Sequence, residues 1–228
     1  MRNYMYVAQN NLSVVMEKPR FDMQSRKRNT PLKIAPMLLL FLFVSICIPG
    51  AQIHAEGLEP STSFFVPFQD DARDAYSTFR KRCVGYYGDY RRTRVAGHRH
   101  AGVDMKGKAG EAVHAVGNGR VAYRYWPFPN ETVVVLHQLP DGEKIYSVYT
   151  HIVDIRVNPG DPVDRNTVIG RLFNEVERKR ARFSFPHLHL EIRKNMEDMG
   201  RASFTSMSKA ALDKYCIDPN VFFKDRLK

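Results

Sequence analysis

Between residues 112 and 151 the chain reads as a series of short extended runs separated by turn residues. Ala112 to Val116 leads through Gly117-Asn118-Gly119 into Arg120 to Trp126, and Thr132 to His137 leads through Pro140-Asp141-Gly142 into Glu143 to His151. Runs this short, rich in Val, Ile, Thr and Tyr and punctuated this closely, suit antiparallel strands and not helices. They predict an all-β sandwich or barrel. Helical spacing is confined to the flanks. From Phe68 to Cys83, residues Ala72, Ala75, Tyr76, Phe79 and Cys83 share a face, and Asp70 and Asp71 suit a first turn. Met207 to Tyr215 reads as a short helix, and Asp218-Pro219 opens a terminal tail.

The 228 residues are enough for one folded domain and a leader. Arg26, Lys27, Arg28 and Lys33 precede the apolar run Ile34 to Ile48, after which Pro49-Gly50 and small residues lead to Ala55. That run, broken by Pro36, falls short of the roughly 18 residues of a spanning helix and fits a secretory leader over 1–55. Contact with a membrane is then expected only if the leader stays uncleaved. Residues 56–93 read as a linker and a packing helix, and residues 94–228 as the functional domain. Residues 1–55 hold 7 of the 35 Lys and Arg and 2 of the 24 Asp and Glu, so the remainder carries +6 of the formal +11. A basic exported domain is drawn to anionic polymers, but no recognition helix or aromatic RNA-binding signature speaks for nucleic acid. With Cys47 in the leader, Cys83 and Cys216 remain as candidates for a disulfide in an oxidising compartment. Nothing in the sequence indicates an oligomeric state.

The histidines gather in three places: GHRHAGVD at 97–104, YTHI at 149–152 and PHLH at 186–189. On a strand the side-chain period is two, so His187, His189 and Glu191 project from one face and Leu188, Leu190 and Ile192 from the other. Catalytic zinc takes three protein ligands and keeps a fourth position open. His100, Asp104 and one of the late histidines would supply such a set. A straight strand would hold the Cα atoms of His100 and Asp104 about 13 Å apart, so the chain must bend between them, and Gly102 is where it can. Spacing does not separate the roles of His187 and His189. His98 is read as a flanking residue, and His114 and His137, inside alternating strands, as structural. Tyr149 precedes His151 on the same strand face and either lines the groove or packs.

The ordered set His100-Ala101-Gly102-Val103-Asp104, Tyr149-Thr150-His151 and His187-Leu188-His189 resembles the lysostaphin-type, or LytM-like, zinc metallopeptidases. The framework AVHAVGNGRV at 112–121 and VNPGDPVDRNTVIG at 157–170 resembles theirs as well. The resemblance spans roughly Arg94 to Arg193. It implies a two-sheet, sandwich-like core built on a duplicated hybrid motif. It further implies one zinc ion held by His100, Asp104 and His189, and it assigns His151 and His187 to catalysis without ligating the metal. The reaction so implied is metal-assisted amide hydrolysis, in which one free histidine takes a water proton and the other stabilises the oxyanion or protonates the leaving amine. Glu191 would orient a histidine as a supporting carboxylate, or else stand as an ordinary strand residue.

The functional expectation is an exported endopeptidase, periplasmic or wall-associated, acting on peptidoglycan stem peptides or cross-bridges. The alternatives are an inactive wall-binding or hydrolase-activating scaffold of the same fold, and a secreted peptidase acting on proteins. One stretch departs from the family. Members usually carry a glycine-rich segment ahead of HLH, whereas RLFNEVERKRARFSFP at 171–186 has charges, three phenylalanines and no glycine. The Glu177 to Arg182 cluster reads as a solvated face. Arg182, Phe183 or Phe185 would then meet a substrate by side chain where glycine would admit its backbone.

Overall fold

A computed structural model describes residues 57–92, 96–125, 127–198, 200 and 208–228. The leader expected over 1–55 lies outside them, as do Trp126 and Met207 at the ends of two expected elements. No helix among the described residues is long and apolar enough to cross a membrane.

In chain order the elements are α1 (Tyr76–Arg82), β1 (Cys83–Gly85), β2 (Val103–Lys106), β3 (Ala112–His114), β4 (Gly119–Tyr125), β5 (Thr132–Gln138), β6 (Lys144–Thr150) and β7 (Ile152–Val153). They continue with β8 (Pro162–Val163), β9 (Val168–Leu172), α2 (Glu175–Ala181), β10 (His187–Arg193), α3 (Lys209–Tyr215), β11 (Cys216–Ile217) and α4 (Pro219–Lys224). The fold is mostly β, in two antiparallel sheets. The larger runs β1-β2-β10-β6-β5-β4-β8, with β11 also on β10, and the smaller runs β3-β9-β7.

Alternation along the central strands explains the layering. Val103, Met105, Val133, Val135, Tyr149, Leu188, Leu190 and Ile192 turn one face of the large sheet inward, where they meet Val113, Ile152, Ile169 and Leu172 of the small sheet. Each such side chain contributes about 1.5–3 kcal/mol by leaving water. The opposite face carries the polar row that forms the site.

Several sequence expectations change. Residues 57–67 are not a free linker: Phe64, Val66 and Phe68 alternate into the core, and Phe65 N–H donates to Val116 O at 2.7 Å. The N-terminal helix is only α1, because the segment before it is extended and turned, with Val66 N–H donating to Arg73 O. Asp70 therefore does not sit in a helical first turn and instead pairs with Arg82 at 2.6 Å, and Arg82 also reaches Glu111 at 2.9 Å. The charged run after Asn174 is a helix with a complete capping box, Asn174 with Glu177, and no buried side chain. Its lack of an apolar stripe hid it from periodicity. The terminal tail is α4, N-capped by Asp218 with Pro219 at its start. Phe223 of α4 lies 4.6 Å from Phe79 between ring centroids, and Lys228 O accepts from Tyr76 N–H, tying the chain end to α1.

The disulfide expected between Cys83 and Cys216 does not form: both thiols are free and buried. Cys83 is level with Met105, which is level with Leu188, whereas Cys216 is level with Arg193. Five strand positions amount to about 17 Å, and a bridge needs Cα atoms within about 7 Å.

Candidate metal centre

The site grows from one cross-strand row. Register puts Asp104 of β2 opposite His189 of β10, His189 opposite Thr150 of β6, and Thr150 opposite Thr132 of β5. The two threonine hydroxyls are 3.0 Å apart. His100 joins from the turn before β2, where the chain bends at 101–102. The bend needs a glycine for room, since a Cβ on Gly102 would lie 2.2 Å from Leu190 O. Three ligand-type atoms thereby converge: His100 Nε2 is 2.8 Å from His189 Nδ1 and 3.1 Å from Asp104 Oδ1, and His189 Nδ1 is 3.2 Å from the same oxygen. Bond lengths of about 2.0–2.1 Å in a tetrahedral zinc site put neighbouring ligand atoms about 3.3 Å apart. The donor types and separations therefore fit a divalent metal. Among the described residues this is the group of His, Cys, Asp and Glu side chains able to hold one.

Each ring is oriented by its other nitrogen. His100 Nδ1 meets Tyr86 O at 2.8 Å, and because a carbonyl only accepts, Nδ1 carries the proton and Nε2 is bare. His189 Nε2 donates to Glu191 Oε1 at 2.8 Å. Glu191 Oε2 accepts from Arg193 Nη1 at 2.9 Å, and both residues of that pair are fully buried. Arg193 also pairs with Asp198. The second oxygen of Asp104, Oδ2, is held by the Arg91 guanidinium.

These contacts set the charges. Burial opposes ionisation of Asp104, but the His100 and His189 rings beside it hold its carboxyl far below the ordinary range. Burial pushes His100 down. Burial also works against a charge on His189, but bonds to Asp104 and Glu191 outweigh it and raise the ring to about 9.

His151 and His187 sit beside the cluster, 5.1 Å apart between ring centroids, and His151 lies 6.2 Å from His189. His151 adopts φ 67°, in the left-handed region. That turn resets the alternation after β6, so His151 reaches the site while Tyr149 faces the core. Tyr149 is therefore not a groove residue: it is fully buried, its hydroxyl accepts from Val116 N–H at 2.9 Å, and it is 2.9 Å from Ser147 Oγ. His151 Nδ1 donates to Pro129 O at 2.9 Å and His187 Nδ1 to Phe185 O at 3.1 Å, which leaves both Nε2 atoms bare. Burial lowers both rings, His151 to about 3 with help from His187 and His189, so both are neutral at neutral pH.

His98 is buried nearby but lies outside the ligand group. His137 is locked in the interior between Asn118 O and Ser147 Oγ, and His114 is 3.3 Å from Asn166 O. Sequence reasoning missed Arg91 and Arg193. Arg193 continues the period of two from His189 and Glu191 and was legible, whereas Arg91 arrives on a loop without a pattern.

Residues 98–200 match the model of peptidase family M23. That segment belongs to this peptidase family. No curated protein matches the chain. Among solved structures, the catalytic domain of the antimicrobial peptidase lysostaphin from Staphylococcus simulans is 22% identical, with 66% of this chain and 98% of that one covered and a TM-score of 0.46. LytU is 20% identical over 69% of this chain and 90% of its own, with a TM-score of 0.45. A zinc-containing peptidase from Vibrio cholerae is 22% identical over 58% of this chain, at a TM-score of 0.43, and the chain spans 37% of its length.

Proposed function

We propose that the protein is an exported zinc-dependent endopeptidase that hydrolyses peptide bonds in peptidoglycan stem peptides or cross-bridges. The observation that carries this reading is the convergence of His100 Nε2, Asp104 Oδ1 and His189 Nδ1 within 3.2 Å of one another, beside two histidines with bare Nε2 atoms. His100, Asp104 and His189 would hold the zinc, which when bound supplies Lewis acidity that polarises a carbonyl and acidifies water.

The remaining chemistry belongs to the chain. His151 and His187, neutral at working pH, each offer a lone pair at Nε2. One takes the proton from the attacking water and becomes an imidazolium, its Nδ1–H still resting on Pro129 O or Phe185 O. From Nε2 it hands the proton to the departing amine, so the peptide nitrogen leaves as a neutral amine. The other ring would stand beside the reacting carbonyl and stabilise the developing oxyanion in the neutral tautomer that carries its proton on Nε2. Arg91 and Glu191 keep Asp104 and His189 oriented throughout. The peptide substrate is supported by membership in a peptidase family; the peptidoglycan polymer is supported by the basic charge and the leader-like N-terminal segment.

The test is to incubate the purified domain with isolated sacculi, with and without a chelator, and to identify released fragments by mass spectrometry. Chelator-sensitive release of peptide-cleaved fragments is expected. Release that ignores the chelator, or that persists in His189→Ala, overturns the reading.

A further inference from the structure

The glycine-free segment ahead of β10 places an aromatic wall against the two histidines. Phe183 stands edge-on to His151, with ring centroids 4.7 Å apart at 71°, and 4.9 Å from His187. Phe185 lies 5.4 Å from His187. Both phenylalanines are only partly buried. Behind them, Phe173 stacks nearly parallel on Phe183 at 5.8 Å and Phe128 lies 5.1 Å from Phe173. Phe173 is itself buried, so Phe183 cannot fold back into the space behind it.

The backbone of the wall is fixed as firmly as its rings. Arg178 Nη1 donates to Phe183 O at 2.7 Å, and Phe183 N–H returns a bond to Arg178 O at 3.1 Å. Glu175 holds that guanidinium at 2.8 Å, and Arg171 of β9 grips Glu177 in the capping box at 2.7 Å. Arg182 closes α2 in the left-handed conformation, φ 62°, and turns the chain toward the histidines. The helix thus serves as a bracket for the rings.

We propose that Phe183 and Phe185 select the substrate: the residue adjoining the cleaved bond carries an apolar side chain, and glycine at that position is disfavoured. This rests on the endopeptidase reading above. A peptide bond brought to His151 and His187 has its neighbouring side chains within one residue, about 3.3–3.6 Å, of the cut, where the partly exposed rings of Phe183 and Phe185 stand. An apolar side chain there covers those rings, whereas glycine leaves them wet and gains nothing from them. The absence of glycine from 171–186 works in the same sense, because a wall of side chains keeps a bare backbone at a distance. Filling or emptying a hydrophobic subsite typically changes kcat/KM by about 10–200-fold.

The experiment uses paired peptides that differ only in glycine against alanine or leucine at the residues flanking the cut, cleaved by the zinc-loaded protein. A preference for the apolar member of about tenfold or more, expressed mainly in KM, is expected. Phe185→Ala and the milder Phe183→Leu should each reduce the ratio to below about threefold, at unchanged zinc content and melting temperature. Equal rates, a preference for glycine, or a ratio unmoved by both variants overturns the proposal. If no peptide is cleaved, the endopeptidase reading fails by itself. The wall is then judged by calorimetric Kd values for the same pairs: tighter apolar binding that Phe185→Ala removes upholds it, and equal Kd values overturn it.

Discussion

His151 lies 6.2 Å from His189 and 4.7 Å from Phe183, and the chain holds those two neighbours by different means. His189 stands in β10, paired on one side to β2 and on the other to β6, with the buried Glu191 and Arg193 behind it. Phe183 follows a seven-residue helix with no buried side chain, held by a capping box and by Arg171 and Arg178. On the strand side, His189, Glu191 and Arg193 are buried and bonded to one another in sequence, so removing one leaves another buried and unpaired. On the helix side, a ring can change without uncovering a charge. Under the two proposals above, with chemistry on the strand wall and selection on the helix wall, substrate preference could vary at a constant reaction.

The sharpest way to break that contrast is to remove one residue from each wall. His189→Ala is expected to abolish stoichiometric zinc binding, measured by elemental analysis, and hydrolysis with it. Phe183→Leu should keep one zinc per chain. Comparable zinc loss in both variants would mean that the walls are not independent.

Glu191→Gln tests a smaller effect on the strand wall. The amide still accepts from His189 but carries no charge for Arg193. Zinc affinity should fall by about 10–100-fold, read by competition with a chelating dye. The domain should also lose stability by up to about 3–5 kcal/mol, as for a broken buried pair, with Asp198 limiting the loss because it still faces Arg193. An unchanged zinc affinity would reduce Glu191 to a packing residue.

Proton linkage comes next, at about tenfold per pH unit. The bonds to Asp104 and Glu191 raise His189 to about 9, so below that pH the metal-free ring is protonated and zinc must displace one proton. Affinity should therefore tighten with rising pH and level off near 9. Calorimetry in two buffers of different ionisation enthalpy should count about one proton released per zinc at pH 7.5. A flat pH dependence between 7 and 8 would contradict the hydrogen-bonded pairing of His189, and the slope in Phe185→Ala should match that of the parent.

The strand wall was legible in the sequence because its logic is periodic. His187, His189 and Glu191 share a face by alternation, and Gly102 had to mark the bend that lets His100 reach Asp104. The same alternation misread Tyr149 when carried past Thr150, since the φ of 67° at His151 resets the face and no residue type announces that turn. Nothing local predicted Arg91 on Asp104, because the contact closes through a loop. The helix wall hid for another reason: α2 lacks the apolar stripe that periodicity detects, and Asn174 with Glu177 three residues later was its one signal.

The smallest expected effect is on the thiols, and it bears on how the strand wall is held. Cys83 lies on β1 beside the strand of Asp104, and Cys216 on β11 beside the strand of His189, so a bridge would have stapled the two sides of the metal set together. The register keeps them apart, and burial raises Cys83 to about 12 and raises Cys216 as well, leaving almost no thiolate at neutral pH. A reductant should therefore leave the melting temperature of protein lacking residues 1–55 unchanged, and both thiols should react with a disulfide reagent only on unfolding. A non-reduced mass about 2 Da low, or a reductant-sensitive melting temperature, would mean that β1 and β11 approach in solution and that the wall rests on a covalent tie. An unaltered mass would leave hydrogen bonds and buried charge as what keeps His100, Asp104 and His189 together, which is why the Glu191 substitution should be felt at the metal.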